Sequence, residues 1–413
     1  MAVRTPLARN VRALAAVSFF TDVASEMIYP LLPLFLTTVL GTSAAALGVI
    51  EGVAESVSSL LRLPAGWLSD RLGKRKPLIL FGYGIAAIAR PLIGLSQSAG
   101  QVLAIRASDR FGKGVRSAPR DALIADSVPE AQRGYAFGVH RAADNLGAVM
   151  GPLIAWAVLG LGWVDLRSLF LWAAVPGAIS VALVVLFVRE AGAGRGVAAH
   201  AATQAADRGP VVRADPASAA PLGAPFWRYL AVLFVFTLST STDAFLLLRA
   251  SQLGVPTALI PILWAMLHVV KSSSSALGGA LSDRLGRRPL ILGGWAVYAL
   301  VYVGFAYAQV QWHAWALFLV YGLYFGMTEG TEKAMVADLV PAARRGTAYG
   351  WFNAVLGIGA LPASVVFGLV WEAAGAEVAF AMGGTIATVA ALLFVLVVPG
   401  RALSASPDLP RPS

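Results

Sequence analysis

The chain has 413 residues, of which 58% are apolar and 13% charged, where an ordinary soluble domain carries about 25% charged residues. That balance excludes a water-soluble fold, and it excludes disorder for most of the length, because disordered chains are poor in apolar residues. Cysteine is absent, which removes disulfide frameworks, thiolate metal sites and thiol nucleophiles, and four histidines leave little for a metal centre built from protein alone.

A helix needs about 20 residues to cross a ~30 Å hydrocarbon core. Apolar runs and the breaks between them predict an all-α membrane protein with twelve spans. They fall at 13–40, 44–64, 77–96, 101–123, 136–160, 168–188, 227–249, 257–281, 289–308, 313–337, 348–371 and 377–398. The runs lack the alternation of a β-barrel wall. The first follows Arg4, Arg9 and Arg12 as the core of a signal peptide would. Asp22 and Glu26 interrupt it, however, and it continues past Tyr29, so it reads as a retained helix. Charges also interrupt the third, fourth and fifth spans.

Lys and Arg set the orientation. Arg71, Lys74, Arg75 and Lys76 lie between spans 2 and 3, Arg133 follows span 4, and Arg189, Arg195, Arg208 and Arg213 follow span 6. Arg284, Arg287 and Arg288 follow span 8, and Arg344 and Arg345 follow span 10. On the opposite side Arg167 is the clear exception and Arg249 sits at an edge. The positive-inside rule then puts both termini in the cytoplasm, with the bacterial cytoplasmic membrane as the expected location. The net charge of +10 is thereby a topology signal spread along short loops, and nucleic acid is not an expected partner.

The stretch from Gly192 to Pro225 is rich in Ala, Gly and Pro and reads as a linker. It predicts an N-terminal six-helix bundle over 1–189, a cytoplasmic linker over 190–226 and a C-terminal bundle with a short tail over 227–413. The two sides repeat in sequence. Gly66-Trp-Leu-Ser-Asp70-Arg71-Leu-Gly73-Lys74-Arg75 returns as Gly279-Ala-Leu-Ser-Asp283-Arg284-Leu-Gly286-Arg287-Arg288. Ala125-Asp126-Ser-Val-Pro129 returns as Ala337-Asp338-Leu-Val-Pro341. A duplicated six-helix unit places a binding site at the interface of the repeats, near the bilayer midplane.

The repeated loop resembles the signature of the major facilitator superfamily, and it stands between spans 2 and 3 and again between 8 and 9, as in that family. The resemblance covers nearly the whole chain. It implies two pseudo-symmetric six-helix bundles that rock about a central cavity, with Gly66, Asp70, Arg71, Gly73 and Arg75, and again Gly279, Asp283, Arg284, Gly286 and Arg287, in conformational-switch loops. Gly147-x-x-x-Gly151-Pro152 in span 5 is similar to the glycine–proline motif of the superfamily's exporting antiporters, although Ala155 and Trp156 stand where that pattern continues with small glycines.

Charged residues inside spans cost about 2.5–3.5 kcal/mol each on insertion scales, so they should pair or line a wet cavity. Asp22, Glu26, Glu51 and Glu55 are the candidates for proton coupling, because a carboxylate balanced between burial and nearby cations can bind and release a proton. Arg106, Arg110, Lys113, Arg116 and Arg120 fall on one arc of span 4 and are candidate cavity residues. Asp243, Trp264, His268, Lys271, Glu329 and Glu332 are their counterparts in the second half. Internal ion pairing is the competing reading for the whole set. No ATP-binding Gly-x-x-x-x-Gly-Lys-(Ser/Thr) loop is present, so an ion gradient should supply the energy. The expectation is a secondary transporter that exports a small polar or charged solute in exchange for protons, without cofactor or metal and with no need to oligomerise. Proton-coupled uptake of an organic anion is the alternative, and a membrane enzyme or a transporter-like sensor are remoter ones.

Overall fold

The computed structural model describes residues 8–129, 132–190, 222–341 and 344–398, and within them every side chain but those of Leu63, Asp70, Ala276, Ala280 and Asp283. Most of the expected linker, and the side chains of Asp70 and Asp283 in the repeated loops, therefore lie outside the described residues.

The spans are α1 (Arg9–Val39), α2 (Ala44–Leu72), α3 (Lys76–Leu92), α4 (Ala99–Asp126), α5 (Arg133–Gly160) and α6 (Leu166–Phe187). The second set is α7 (Ala224–Gln252), α8 (Ile260–Leu285), α9 (Arg287–Tyr307), α10 (Gln311–Asp338), α11 (Arg345–Ala374) and α12 (Ala376–Val397). Ten of these stretches are long and apolar enough to cross a membrane. The other two, α4 and α10, are 28 residues long and are each interrupted by several charged residues. Large apolar side chains on α9 and α12, such as Leu300 (65% exposed) and Leu396 (80%), point outward, as a lipid-facing surface requires.

Helix ends follow local chemistry. The Ser43 hydroxyl accepts from Ala46 N and caps α2, while Gly73 ends it in the left-handed region at φ 61°. Pro30 and Pro33 loosen α1 beyond Glu26 into a short tight turn over Tyr29–Leu31. In α7 the run Ser239–Thr242 unwinds the helix before Ala244, with Tyr298 OH donating to Ser239 O at 3.0 Å. The two breaks meet, Tyr29 OH lying 3.3 Å from Thr242 Oγ1. These residues are 213 positions apart, the offset that also relates Asp70 to Asp283 (283 − 70 = 213). Equivalent points of the repeat therefore touch at the pseudo-twofold axis.

Within each half the packing repeats: α1 against α5 and α6, α2 against α4, and α7 against α11 and α12, α8 against α10. Across the halves α2 packs on α11 and α5 on α8. The repeated loops build the same ion pair twice, Arg75 with Asp126 and Arg287 with Asp338. Glu190 caps the start of α3 by accepting from Arg75 N (2.7 Å) and Lys76 N (3.0 Å). The two arginines on the basic-poor side have specific partners. Arg167 donates to Gly94 O and Ser96 O beyond α3, and Arg249 to Phe305 O and Ala308 O at the end of α9. Each cation thus sits at the negative end of a helix.

Close helix crossings depend on glycine. A Cβ on Gly278 would lie 1.9 Å from Gly326 O, a backbone atom that cannot swing away, whereas one on Gly279 would meet nothing within 4 Å. Gly278→Ala should cost about 1–3 kcal/mol through overpacking. Thermal unfolding in detergent should show a lowered midpoint for Gly278→Ala and none for Gly279→Ala.

Candidate functional site: the polar seam between the halves

Charge in the N-terminal half is sorted into two groups. The first is a closed chain inside the half. Arg106 holds Glu51 through two hydrogen bonds of 2.7 Å, and its other side faces Asp109 at 3.6 Å. Arg90 donates to Asp109 at 2.9 Å and to Thr21 O at 2.6 Å. All four charged residues are at most 5% exposed, and two cations balance two anions. Arg116 lies 4.4 Å over the Tyr83 ring and donates to Gly82 O, so it turns toward α3. Arg120 pairs with Asp121. In the other half Glu332 is buried and accepts from Trp295 Nε1 at 2.9 Å, between α9 and α10. The structure therefore places Glu51, Arg106, Arg116 and Glu332 inside the halves. One arc of α4 faces two environments, because α2 and α3 both pack against that helix.

The second group lies along the seam where the halves meet. Glu26 of α1 accepts from Trp264 Nε1 of α8 at 2.8 Å, with His268 Nε2 at 3.9 Å. The Trp264 ring also packs on Tyr29, centroids 5.1 Å apart. Glu55 accepts from Ser59 and has the cations Arg62, Arg110 and Lys113 around it. Arg62 donates to Asn353 of α11 at 3.4 Å. Asp243, at the break in α7, accepts from Tyr321 OH at 2.6 Å. Lys271 lies 3.5 Å from Glu329 and 4.1 Å from the Phe325 ring centroid, and Arg141 of α5 pairs with the same Glu329. Glu26, Lys271 and Glu329 remain partly exposed (19, 27 and 28%), as groups at the edge of an opening would be.

Glycines set how closely the acid-bearing helices approach. A Cβ on Gly147 would lie 2.5 Å from Phe19 O and 3.0 Å from Asp22 Cβ, and one on Gly151 would lie 2.7 Å from Val23 O and 3.1 Å from Glu26 Cβ. The motif Gly147, Gly151, Pro152 thus presses α5 onto the face of α1 that carries Asp22 and Glu26. On the other side of the seam a Cβ on Gly48 would lie 2.2 Å from Ser364 O, and Ser56 Oγ donates to Gly357 O at 2.6 Å. Of the loop residues, Arg71 stacks over Trp67 at 5.2 Å and Arg284 is exposed.

Sequence reasoning missed five residues that hold this arrangement together: Arg90, His140, Arg141, Asp144 and Asn353. A signal existed for three of them. His140, Arg141, Asp144 and Asn145 crowd one and a half turns of an otherwise apolar span.

The sequence matches the Major Facilitator Superfamily profile over residues 14–360. The chain belongs to the major facilitator superfamily. It is 31% identical over 397 residues, 95% of each chain, to an uncharacterized MFS-type transporter of Methanocaldococcus jannaschii. It is 27% identical over 312 residues to the multidrug resistance protein MdtG of Enterobacter lignolyticus, covering 71% of this chain and 69% of that one. The fold is that of solved superfamily transporters. The nucleoside transporter NupG aligns with TM-score 0.76 at 14% identity, over 94% of this chain and 100% of that one. A bacterial homolog of the human lysosomal transporter Spinster, crystallised inward-facing and occupied, aligns with TM-score 0.76 at 18% identity, over 96% and 98%.

The two groups of charge should respond differently to mutation. Removing one member of a buried pair costs about 3–5 kcal/mol, because the other charge is left unpaired. Glu51→Gln should therefore lower the thermal midpoint sharply, and the double variant Glu51→Gln/Arg106→Gln should recover part of the loss. Glu55→Gln, at an exposed position, should leave the midpoint close to that of the wild type.

Proposed function

We propose that this superfamily member is a proton-coupled secondary transporter that exports a small polar or charged solute across the cytoplasmic membrane, with both termini inside. The bundles 1–189 and 227–413, joined by 190–226, rock about the seam and open it to each side in turn. The observation that carries this reading is the set of polar contacts made across the halves: Glu26 with Trp264, Arg62 with Asn353, and Arg141 with Glu329. Rocking must break them, and each then needs water, a proton or solute in place of its lost partner. A bound species can shift the balance only by interacting differently with the two states, and these groups supply that difference.

The state described here is closed at the end where α1 meets α2 and α7 meets α8. There Tyr29 reaches Thr242, the Ala45 amide donates to Glu372, and Gly48 abuts Ser364. With the termini inside, this closed end faces outward. Export is favoured by the packing of Gly147 and Gly151 on α1 and by the similarity to MdtG, whose name denotes multidrug resistance. One specific observation favours the uptake of an organic anion instead: three cations, Arg62, Arg110 and Lys113, surround the single carboxylate Glu55.

A solute screen in inverted vesicles with an imposed pH gradient separates the readings. Export by antiport predicts solute accumulation in vesicles acidified inside, lost in Glu26→Gln while solute-for-solute exchange persists. Accumulation that ignores the pH gradient, or equal flux in Glu26→Gln and the wild type, would contradict the proton-coupled reading.

A further inference from the structure

The break in α7 gathers oxygen atoms around one carboxylate. The first segment of the helix ends at Ser239, and Thr240 stands at φ −85° and ψ 86°, outside the helical region, before the helix resumes at Ala244. Such a break frees main-chain oxygens that an unbroken helix would bond. No donor among the described residues reaches those of Thr240 and Ser241. Hydroxyls surround the gap. Ser241 Oγ lies 2.9 Å from Tyr302 OH of α9, and Thr242 Oγ1 lies 3.3 Å from Tyr29 OH of α1. Asp243 follows directly, and its Oδ1 accepts from Tyr321 OH of α10 at 2.6 Å. Ser241, Tyr302 and Tyr321 are at most 6% exposed, whereas Thr242 and Asp243 are half-buried and give the gap an opening onto the seam.

The internal repeat shows what this layer lacks. Its second repeated segment is offset by 212 positions (337 − 125 = 212). That offset sets Tyr302 against Arg90 and Tyr321 against Asp109 (302 − 212 = 90 and 321 − 212 = 109), two members of the closed ion-pair chain of the first half. The second half therefore builds the same layer from aromatic hydroxyls, with no arginine in it. Asp243 is the carboxylate beside that layer, and no Lys or Arg among the described residues lies within 4 Å of it. Lys271 acts on it from farther off but is held by Glu329 at 3.5 Å, while Glu26 and Glu55 add negative charge. A carboxylate in a low-dielectric interior needs a cation. The side chains that touch Asp243 and its two preceding residues bring only oxygen.

We propose that the break in α7 binds one sodium-sized monovalent cation, with Asp243 Oδ2, the hydroxyls of Ser241 and Thr242 and the main-chain oxygens of Thr240 and Ser241 as its ligands. The donor set is all oxygen, the chemistry that hard cations require. It contains one carboxylate, which balances one positive charge, whereas a divalent ion would leave net charge in a dry interior. Broken helices of membrane transporters hold ions in this way, on unwound carbonyls and the ends of half-helices. Binding ties the two segments of α7 together and, through Thr242, steadies the contact with Tyr29 that shuts this end of the seam. The cation thereby favours the closed state. This inference goes beyond the proton-coupled reading and does not depend on it.

The test needs neither solute nor a pH gradient. Equilibrium binding of radioactive sodium is measured on the purified full-length protein, and thermal unfolding is followed in sodium chloride and in choline chloride at equal ionic strength. Wild type should bind sodium saturably, with one ion per chain, and unfold at a higher midpoint in sodium. Asp243→Asn should abolish both effects, and Ser241→Ala should weaken binding about tenfold. Ser239→Ala is the control, because the Ser239 hydroxyl turns back to Phe236 O at 2.6 Å and is not a ligand, so this variant should bind as the wild type does. If Asp243→Asn fails to fold, the comparison of the two serine variants carries the test. No saturable binding in the wild type, binding retained in Asp243→Asn, or Ser241→Ala binding no more weakly than Ser239→Ala would overturn the site. A midpoint that follows pH but ignores sodium would assign the Asp243 charge to a proton and overturn it as well. Sodium binding alongside flux driven by pH alone would leave both the site and the proton-coupled reading standing. Absent binding with pH-driven flux intact would remove the site and leave that reading.

Discussion

A charge in a low-dielectric interior must have a partner, and the location of that partner divides this molecule into fixed and movable parts. Glu51, Arg106, Asp109 and Arg90 find their partners inside one half. They join α2, α3 and α4 within that half, and the proposed rocking would leave them untouched. Glu26, Arg62, Arg141 and Glu329 find theirs across the seam. Only this second set changes surroundings when the halves separate, and it is this set that can couple a bound species to the motion.

Duplication provides the geometry for such motion. Equivalent breaks in α1 and α7 meet at the axis through Tyr29 and Thr242, and each half closes its basic loop with an Arg–Asp pair of its own. The interface between the halves is built from glycines and small residues on α2 and α11, which keeps the backbones near and the contact area smooth. Two bodies joined by small contacts and a few polar links can move relative to each other without repacking their cores. Phe236 stacks on Trp295 at 4.1 Å within the second half, whereas Trp264 reaches Tyr29 across the seam.

The fold was legible because hydropathy, Lys and Arg placement and the internal repeat all read along one dimension. Among the described residues, twelve helical spans stand near the positions that the apolar runs predict, and charge keeps α4 and α10 from resembling ordinary spans. The site was legible only in part. Helical spacing put Arg106 and Arg116 on one arc with Arg110 and Lys113, but spacing carries no information about which neighbour that arc meets. Glu51 and Glu55 lie one turn apart on one stripe, yet Glu51 is sealed by Arg106 while Glu55 is exposed. The glycine motif of span 5 carries no sign of Asp144 and His140, which lie on the turns before it. The glycines matter because of the acids they press against.

Movement of one half against the other is the central claim, and distances between paired spin labels test it most directly. The chain has no native cysteine, so labels can be placed without background. One pair would join exposed positions at the closed end, Val39→Cys with Gln252→Cys, and the other would join Lys74→Cys with Arg284→Cys at the opposite end. The account predicts two populations whose weights shift with pH, the closed-end distance lengthening as the opposite-end distance shortens. A single distance at each end that ignores pH and solute, or two distances that lengthen together, would contradict it.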